Sequence, residues 1–98
     1  MHTQRNIWIH IFIGMTVLAA ALWMEVPPSE VMILILTISL VMVSEMLNTA
    51  IEEVVNMVKP QHHPLAALAK NVAAGAVLVA AIGAVLIGVL IFVPRFLI

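Results

Sequence analysis

Four polar residues in the middle of the chain repeat with the spacing of one helix face. They are Glu45, Asn48, Glu52 and Asn56. At about 100° per residue, steps of three, four and four positions keep them within a narrow stripe. Glu45 and Glu52 would then stand two turns apart, roughly 10 Å along the axis. Two such carboxylates suit a Mg²⁺ ion that carries phosphates, or a base that accepts a proton from a hydroxyl nucleophile.

The surroundings of each carboxylate indicate whether it has a chemical role or is simply solvated. Glu45 follows a largely apolar run over residues 31–43. An ionisable group at membrane depth costs several kcal/mol and generally faces a bundle interior or a water-filled site. We therefore expect a functional role for Glu45. Glu53 points away from the stripe and is expected to be solvated.

The other polar residues near the spans have simpler explanations. Lys70 could touch a phosphate as a point charge, but spacing alone favours a side chain that snorkels to the interface. His62 and His63 are adjacent and cannot share a helix face, so we expect loop residues rather than a metal site. His10 lies in an apolar stretch, where a hydrogen bond between helices is more common than chemistry.

The elements that must position these residues are unusually apolar. Of the 98 residues, 64% are hydrophobic and 9% are charged, against about 25% charged in an average soluble domain. A soluble domain of this length has too little interior to hide that surface, so we expect an all-α membrane protein. There is no basic patch for nucleic acid, which we do not expect as a partner. With no cysteine, disulfides and thiolate chemistry are excluded.

Three transmembrane spans in one domain over residues 1–98 are predicted, at about 7–24, 31–57 and 65–93. The first has the minimum length for crossing a bilayer, and the two later spans argue against a cleaved signal peptide. Pro27 and Pro28 should break the chain after it, and Ser29 is expected to cap the second helix. Pro94 and Arg95 are expected to close the third.

The basic residues predict the orientation. The N-terminus carries Arg5, and the second loop is flanked by Lys59 and Lys70. Three spans place the N-terminus and the second loop on the same side of the membrane. Because basic residues favour the cytoplasmic side, we expect both segments in the cytoplasm. Arg95 is a contrary signal. Small residues also recur every four positions in the third span, at Ala76, Ala80, Ala84 and Gly88. Such a stripe permits close helix approach, either between subunits or within one bundle.

Three stretches carry a family resemblance. Residues 45–52 match the pattern E-x-x-N-[ST]-A-I-E, and His-Pro-Leu-Ala at 63–66 and Ala-Lys-Asn-Val-Ala-Ala-Gly-Ala-Val at 69–77 follow the second loop. Together they closely resemble the signature of the prokaryotic diacylglycerol kinase and undecaprenol kinase family, over essentially the whole chain from Gln4. Asn48-Thr49 and the turn at residues 63–65 look nearer to the undecaprenol kinase branch.

The resemblance implies a fold, a reaction and site residues. The fold is a homotrimer of multi-pass subunits in the bacterial inner (cytoplasmic) membrane, with composite sites between subunits. The reaction, part of phospholipid metabolism, transfers the γ-phosphoryl group of ATP to the hydroxyl of undecaprenol or diacylglycerol. Glu45 would be the general base with Asn48 beside it. Glu52 would hold the Mg²⁺ that accompanies ATP, and Lys70 would touch the phosphates.

Departures from the family pattern concentrate on the nucleotide and metal side. Gln4 stands where members commonly carry a metal-binding Glu, Asn56 replaces an acid, and Asn71 replaces the Asp of a Lys-Asp pair. An amide keeps an acceptor oxygen but loses the charge that attracts Mg²⁺. We still assign Gln4 to the metal and Asn56 and Asn71, with Lys70, to the nucleotide. Members also carry an N-terminal amphipathic helix, which we do not expect within residues 1–98 because the first span begins near residue 7.

Two functions therefore stay open. The first is a lipid kinase with weakened activity, since phosphoryl transfer depends chiefly on positioning and charge neutralisation. The alternative is a pseudoenzyme, a non-catalytic relative that acts as a structural subunit of a larger membrane complex. A laboratory variant with deliberate acid-to-amide changes is a third possibility. All three share one fold.

Overall fold

The computed structural model describes residues 2–58 and 64–97, and the side chains of residues 7–57 and 64–97. Over this part of the chain there are three α-helices and no strand. They are α1 (His2–Trp23), α2 (Pro28–Val58) and α3 (Pro64–Leu97), of 22, 31 and 34 residues. The predicted all-α class of membrane protein is confirmed.

Two of the helices are long and apolar enough to cross a membrane, namely Pro28–Met57 and Pro64–Leu97. At 1.5 Å rise per residue each exceeds the roughly 30 Å of a hydrocarbon core. The apolar part of α1, Ile7–Trp23, is shorter. Trp8 and Trp23, near the two ends of that stretch, are 69% and 85% exposed. Such rings favour the headgroup level of a bilayer.

The turn between α1 and α2 is set by backbone hydrogen bonds. Glu25 has a φ of 59°, and the Val26 N–H donates to the Ala21 carbonyl at 3.0 Å while the Glu25 N–H donates to Leu22 at 3.2 Å. This pair of bonds with one left-handed residue is a Schellman motif. Val26 and Ala21 are both buried, which supplies the apolar contact that usually accompanies the motif.

The prediction that Ser29 caps the second helix is wrong. The Pro27 carbonyl accepts the N–H groups of Glu30 and Val31, at 3.0 and 3.1 Å, and α2 already begins at Pro28. Proline suits a first helical position because its missing N–H has no partner there and its φ is preset. Pro27-Pro28 therefore both ends the turn and starts the helix.

A small apolar core lies where α1 turns into α2 and α3 ends. We call this region the turn end, residues 21–34 and 87–95. Its buried members are Ala21, Val26, Leu34 and Ile91. In the same region, Arg95 Nη2 donates a hydrogen bond to Glu30 Oε1 at 2.8 Å and so connects the end of α3 with the start of α2.

The prediction that Pro94 and Arg95 close the third helix is also wrong, because α3 continues to Leu97 with Pro94 inside its last turn. A proline there removes one hydrogen bond, that to the Leu90 carbonyl. The Arg95–Glu30 bond holds the continuing turn in place, which offsets part of that loss.

Candidate functional site

The polar stripe lies on one uninterrupted helix, α2, in the half that leads away from the turn end. We call this region the site end: residues 7–14 of α1, 45–56 of α2 and 64–73 of α3. Within the stripe Glu45, Asn48 and Glu52 are partly buried, whereas Asn56 is exposed. Glu53 is exposed as well, in keeping with its position off the stripe. Burial therefore decreases along α2 from Glu45 toward its end.

Glu45 faces α1. Only 15% of its side chain is exposed, and Oε1 lies 3.9 Å from Nε2 of His10. This distance is within reach of an ion pair but is longer than a hydrogen bond. The neighbouring Thr49 hydroxyl donates to the Glu45 backbone carbonyl at 3.0 Å, so it is not directed at the carboxylate.

Glycine allows α1 and α2 to approach closely beside this pair. A Cβ at Gly14, one turn beyond His10, would lie 2.8 Å from Cγ2 of Ile38. Because Ile is β-branched and stiff at χ1, that methyl group cannot move aside freely. Gly14 therefore brings α1 near enough to α2 for His10 to reach Glu45.

Asn48 faces α3 rather than α1. It lines a groove of about 570 Å³ together with apolar residues of both helices, among them Leu47, Leu68 and Val72. Its Oδ1 atom is buried and has no hydrogen-bond partner within the described residues. A buried acceptor left unpaired costs about 1–3 kcal/mol. The atom is thus available to a donor from outside this part of the chain.

The nucleotide and metal candidates are less tightly assembled. Lys70 is partly buried in the second turn of α3 and Asn71 beside it is exposed. Gln4 belongs to the first turn of α1, but its side chain lies outside the described residues, as do His62 and His63. Among the side chains that are described, no three His, Cys, Asp or Glu residues gather into a metal site. The metal role of Glu52 and Gln4 stays a prediction.

An apolar cleft of about 390 Å³ opens among the three helices. His10 lies on its wall, together with Gly14, Val41, Ala84 and Phe92. Thr37 also lines it, but its hydroxyl donates to the Ile33 carbonyl at 2.7 Å and offers the cleft little polarity. His10 therefore contacts the cleft and also lies 3.9 Å from the Glu45 carboxylate, which is not itself part of the cleft lining.

Sequence reasoning did not find the His10–Glu45 pair. A hydrogen bond between helices is expected of His10, but the structure shows none: the Glu45 carboxylate of α2 lies 3.9 Å from Nε2, beyond hydrogen-bond distance. The available signal was a histidine and a glutamate each interrupting an apolar span at about the same depth.

Comparison with known proteins shows the family. The family described as prokaryotic diacylglycerol kinase matches residues 1–92. A diacylglycerol kinase of Synechocystis is 48% identical over 96 residues, which are 97% of this chain and 55% of that protein. The undecaprenol kinase of Bacillus subtilis is 43% identical over 93 residues, 95% of this chain and 76% of the relative. The chain belongs to the prokaryotic diacylglycerol kinase family, as the resemblance predicted.

The relatives differ in length and in the lipid that they are named for. The diacylglycerol kinase of Escherichia coli is 41% identical over 76 residues, 74% of this chain and 62% of its own length. The chain thus spans between about half and three quarters of these three relatives. Identity to the two proteins named for diacylglycerol and to the one named for undecaprenol is similar, so it does not select the lipid.

Proposed function

We propose that the chain is a lipid kinase that transfers the γ-phosphoryl group of ATP to the hydroxyl of undecaprenol or diacylglycerol. The observation that carries the proposal is Glu45, a carboxylate only 15% exposed on a helix apolar enough to cross a membrane. An ionisable group in such a place is rarely idle. The names of the family's relatives support the reaction class.

Glu45 would act as the general base. The lipid hydroxyl oxygen attacks the γ-phosphorus, its proton passes to the Glu45 carboxylate, and ADP leaves. The cleft that His10 lines is apolar enough for a lipid chain, which would bring the hydroxyl toward Glu45. Asn48 has a buried acceptor oxygen that receives no hydrogen bond from the described residues, so it suits a donor of the substrates or of a second subunit.

Glu52, with Gln4, would hold the Mg²⁺ that arrives with ATP, and Lys70, Asn71 and Asn56 would contact the phosphates. Mg²⁺ usually binds through one or two carboxylates plus phosphate oxygens and water. A single partly buried carboxylate fits such an ion better than it fits a resident metal. The bound ion would neutralise phosphate charge. Because Gln4, Asn56 and Asn71 lack charge, we expect weaker nucleotide use than an acid-bearing site gives.

A homotrimer in the bacterial inner membrane, with the N-terminus in the cytoplasm, would complete these sites. Support comes from α3, where none of the described residues lies within 4 Å of a Cβ placed at Gly75 or Gly83. Small residues with open space beside them allow another helix to approach closely.

The alternative is a non-catalytic relative that serves as a structural subunit of a larger membrane complex. The three amides favour it, because each replaces a charge that would attract Mg²⁺. It differs from the kinase proposal in one measurable respect, since it requires no turnover with either lipid.

The experiment is ATP-dependent phosphorylation of undecaprenol and diacylglycerol in mixed micelles with Mg²⁺. Glu45→Gln should lower turnover at least about 100-fold, as expected for the loss of a general base. Glu53→Gln is the matched control, since Glu53 is exposed and off the stripe, and should change turnover less than about twofold. A Gln4→Glu/Asn71→Asp double variant should raise it.

The outcomes separate the two functions. Turnover that is lost only in Glu45→Gln supports a working kinase. A silent parent with an active double variant points to a site disarmed by its amides. Silence in both overturns the kinase proposal and favours the structural subunit.

A further inference from the structure

His10 is the one ionisable side chain that faces the Glu45 carboxylate among the described residues. Its Nε2 atom lies 3.9 Å from Oε1, and both side chains are largely withdrawn from solvent, at 33% and 15% exposed. No other described side chain forms an ion pair or a hydrogen bond with that carboxylate. Among the described residues, His10 is therefore the side chain best placed to orient that carboxylate.

The approach of the two groups is built into the packing of the helices. Gly14 stands one turn from His10, and the space for a side chain there is filled by Ile38 of α2. This contact fixes the separation of α1 and α2 next to the pair. The remaining gap between 3.9 Å and a hydrogen bond of about 2.8 Å is about 1 Å, which a small change in side-chain torsion angles can close.

We propose that His10 is a positioning residue that donates its Nε2–H to Oε1 of Glu45 and leaves Oε2 free to take the proton of the lipid hydroxyl. The inference rests on the proposed function, in which Glu45 is the base. A neutral Nε2–H tautomer and an imidazolium both carry this donor, so the contact itself requires no charge. Orienting one carboxylate oxygen matters because a base acts only within hydrogen-bond reach of the proton that it removes.

The position of His10 on the cleft wall gives the imidazole a second part in the same step. A lipid chain in the cleft would place its hydroxyl past the imidazole before it meets the carboxylate. With one acceptor site of Oε1 taken by His10, Oε2 is the carboxylate oxygen with both acceptor sites open to that hydroxyl. The arrangement thus assigns different partners to the two oxygens of one carboxylate.

The contact can be measured without any turnover. In protein labelled with ¹⁵N at histidine, Glu45→Gln should shift the Nε2 resonance of His10, because the amide replaces a charged acceptor. Glu52→Gln is the matched control, two turns away on the same helix, and should leave that resonance in place. If the His10 resonance is unchanged in both variants, or shifts equally in both, the proposed contact between His10 and Glu45 is wrong.

The role is measured by kinetics. His10→Leu removes the donor and should lower kcat about 10- to 100-fold, by analogy with the loss of a side chain that orients a metal ligand, with the KM for lipid changed less than about twofold. His10→Gln restores an N–H donor and should recover most of kcat. Thr16→Leu, at an exposed position of α1, controls for adding a leucine and should match the parent.

Equal kcat in parent and His10→Leu, or equal loss in His10→Leu and His10→Gln, would overturn the positioning role even if the resonance shifts. A parent without turnover on either lipid is a failure of the proposed function itself. In that case the proposed role in proton removal falls with it, and the resonance alone decides whether His10 holds Glu45.

Discussion

At the turn end, Arg95 Nη2 lies 2.8 Å from Glu30 Oε1, whereas at the site end His10 and Glu45 remain 3.9 Å apart. The turn-end pair joins α2 to α3 above a buried apolar cluster. The site-end pair joins α1 to α2 beside an open apolar cleft. The turn end therefore has an ion pair within hydrogen-bond distance. At the site end, the His10 and Glu45 side chains are too far apart for a hydrogen bond.

The two ends also differ in their buried polar atoms that lack a hydrogen bond. In the described part of the chain each end contains one such atom, Arg95 Nε at the turn end and Asn48 Oδ1 at the site end. The Arg95 guanidinium already donates through Nη2, so its group is partly satisfied. The side chain of Asn48 has no such bond among the described residues. We infer that the turn end contributes stability, while the site end gives up some stability to keep polar groups available.

The largest effect on turnover should follow from the substitution Asn48→Leu, which should also change stability. Replacing an unpaired buried acceptor with an apolar group of similar shape removes its desolvation cost of about 1–3 kcal/mol. We expect the free energy of unfolding to rise by about 1 kcal/mol in mixed micelles, measured by helix loss under denaturing detergent. Lipid kinase turnover should fall at the same time, by about 100-fold, since a site residue is lost.

Thr49→Val is the matched control for that substitution. It removes a neighbouring polar group whose hydroxyl donates to a backbone carbonyl of its own helix. Turnover should stay within a fewfold of the parent. If Asn48→Leu instead destabilised the protein and left turnover intact, the division between the two ends would be wrong.

Gly14→Ala should produce the next largest effect and act on the site end alone. The added methyl group would lie 2.8 Å from Ile38 Cγ2, so α1 must move away from α2. Overpacking of this kind costs about 1–3 kcal/mol, and the shift should also separate His10 from Glu45. Ala19→Leu is the control, because Ala19 is an exposed position of the same helix, and turnover should stay near that of the parent.

The double variant Gly14→Ala/Ile38→Ala tests the cause. Shortening Ile38 removes the obstructing methyl group, and turnover should recover relative to Gly14→Ala alone. Lack of recovery, together with an unchanged Nε2 resonance of His10, would show that Gly14 does not set the distance between His10 and Glu45.

Breaking the turn-end pair should have a smaller effect on stability and none on chemistry. Arg95→Met removes the bond to Glu30, and partly exposed pairs are worth roughly 0–1 kcal/mol. We expect unfolding to become easier by up to about 1 kcal/mol, with turnover unchanged per folded molecule. Glu30→Gln, which keeps an acceptor oxygen, should cost less than Arg95→Met. A loss of turnover in either variant would show that the two ends are coupled.

The site was only partly predictable from sequence. The placement of Glu45, Asn48 and Glu52 on one helix followed from their spacing, because helix periodicity is local. The pairing of Glu45 with His10 could not be derived, since it depends on how α1 lies against α2 across 35 positions of the chain. The same holds for Gly14 and Ile38, whose contact is a property of that packing.

The fold shows the same division between local and nonlocal causes. Three helices and their apolar character follow from composition and length, and they were predicted. Helix ends were missed where a proline competed with another signal. Ser29 is a good capping residue in general, yet the Pro27 carbonyl and Pro28 start α2. Pro94 usually ends a helix, yet α3 continues past it with Arg95 bonded to Glu30.

The smallest effect concerns the turn itself, at Glu25. Its φ of 59° lies in the left-handed region, which costs a non-glycine residue about 1–2 kcal/mol. Glycine would avoid that cost but would lose about 0.5–1 kcal/mol through greater freedom of the unfolded chain. Glu25→Gly should therefore stabilise the protein by only about 0.5 kcal/mol, measured as a higher free energy of unfolding. Glu25→Val should be less stable than the parent, because a β-branched residue tolerates this φ least.

Turnover should not change in either variant, since the Schellman turn lies at the end of the bundle away from Glu45. If Glu25→Gly and Glu25→Val were equally stable, the left-handed residue would not define this turn.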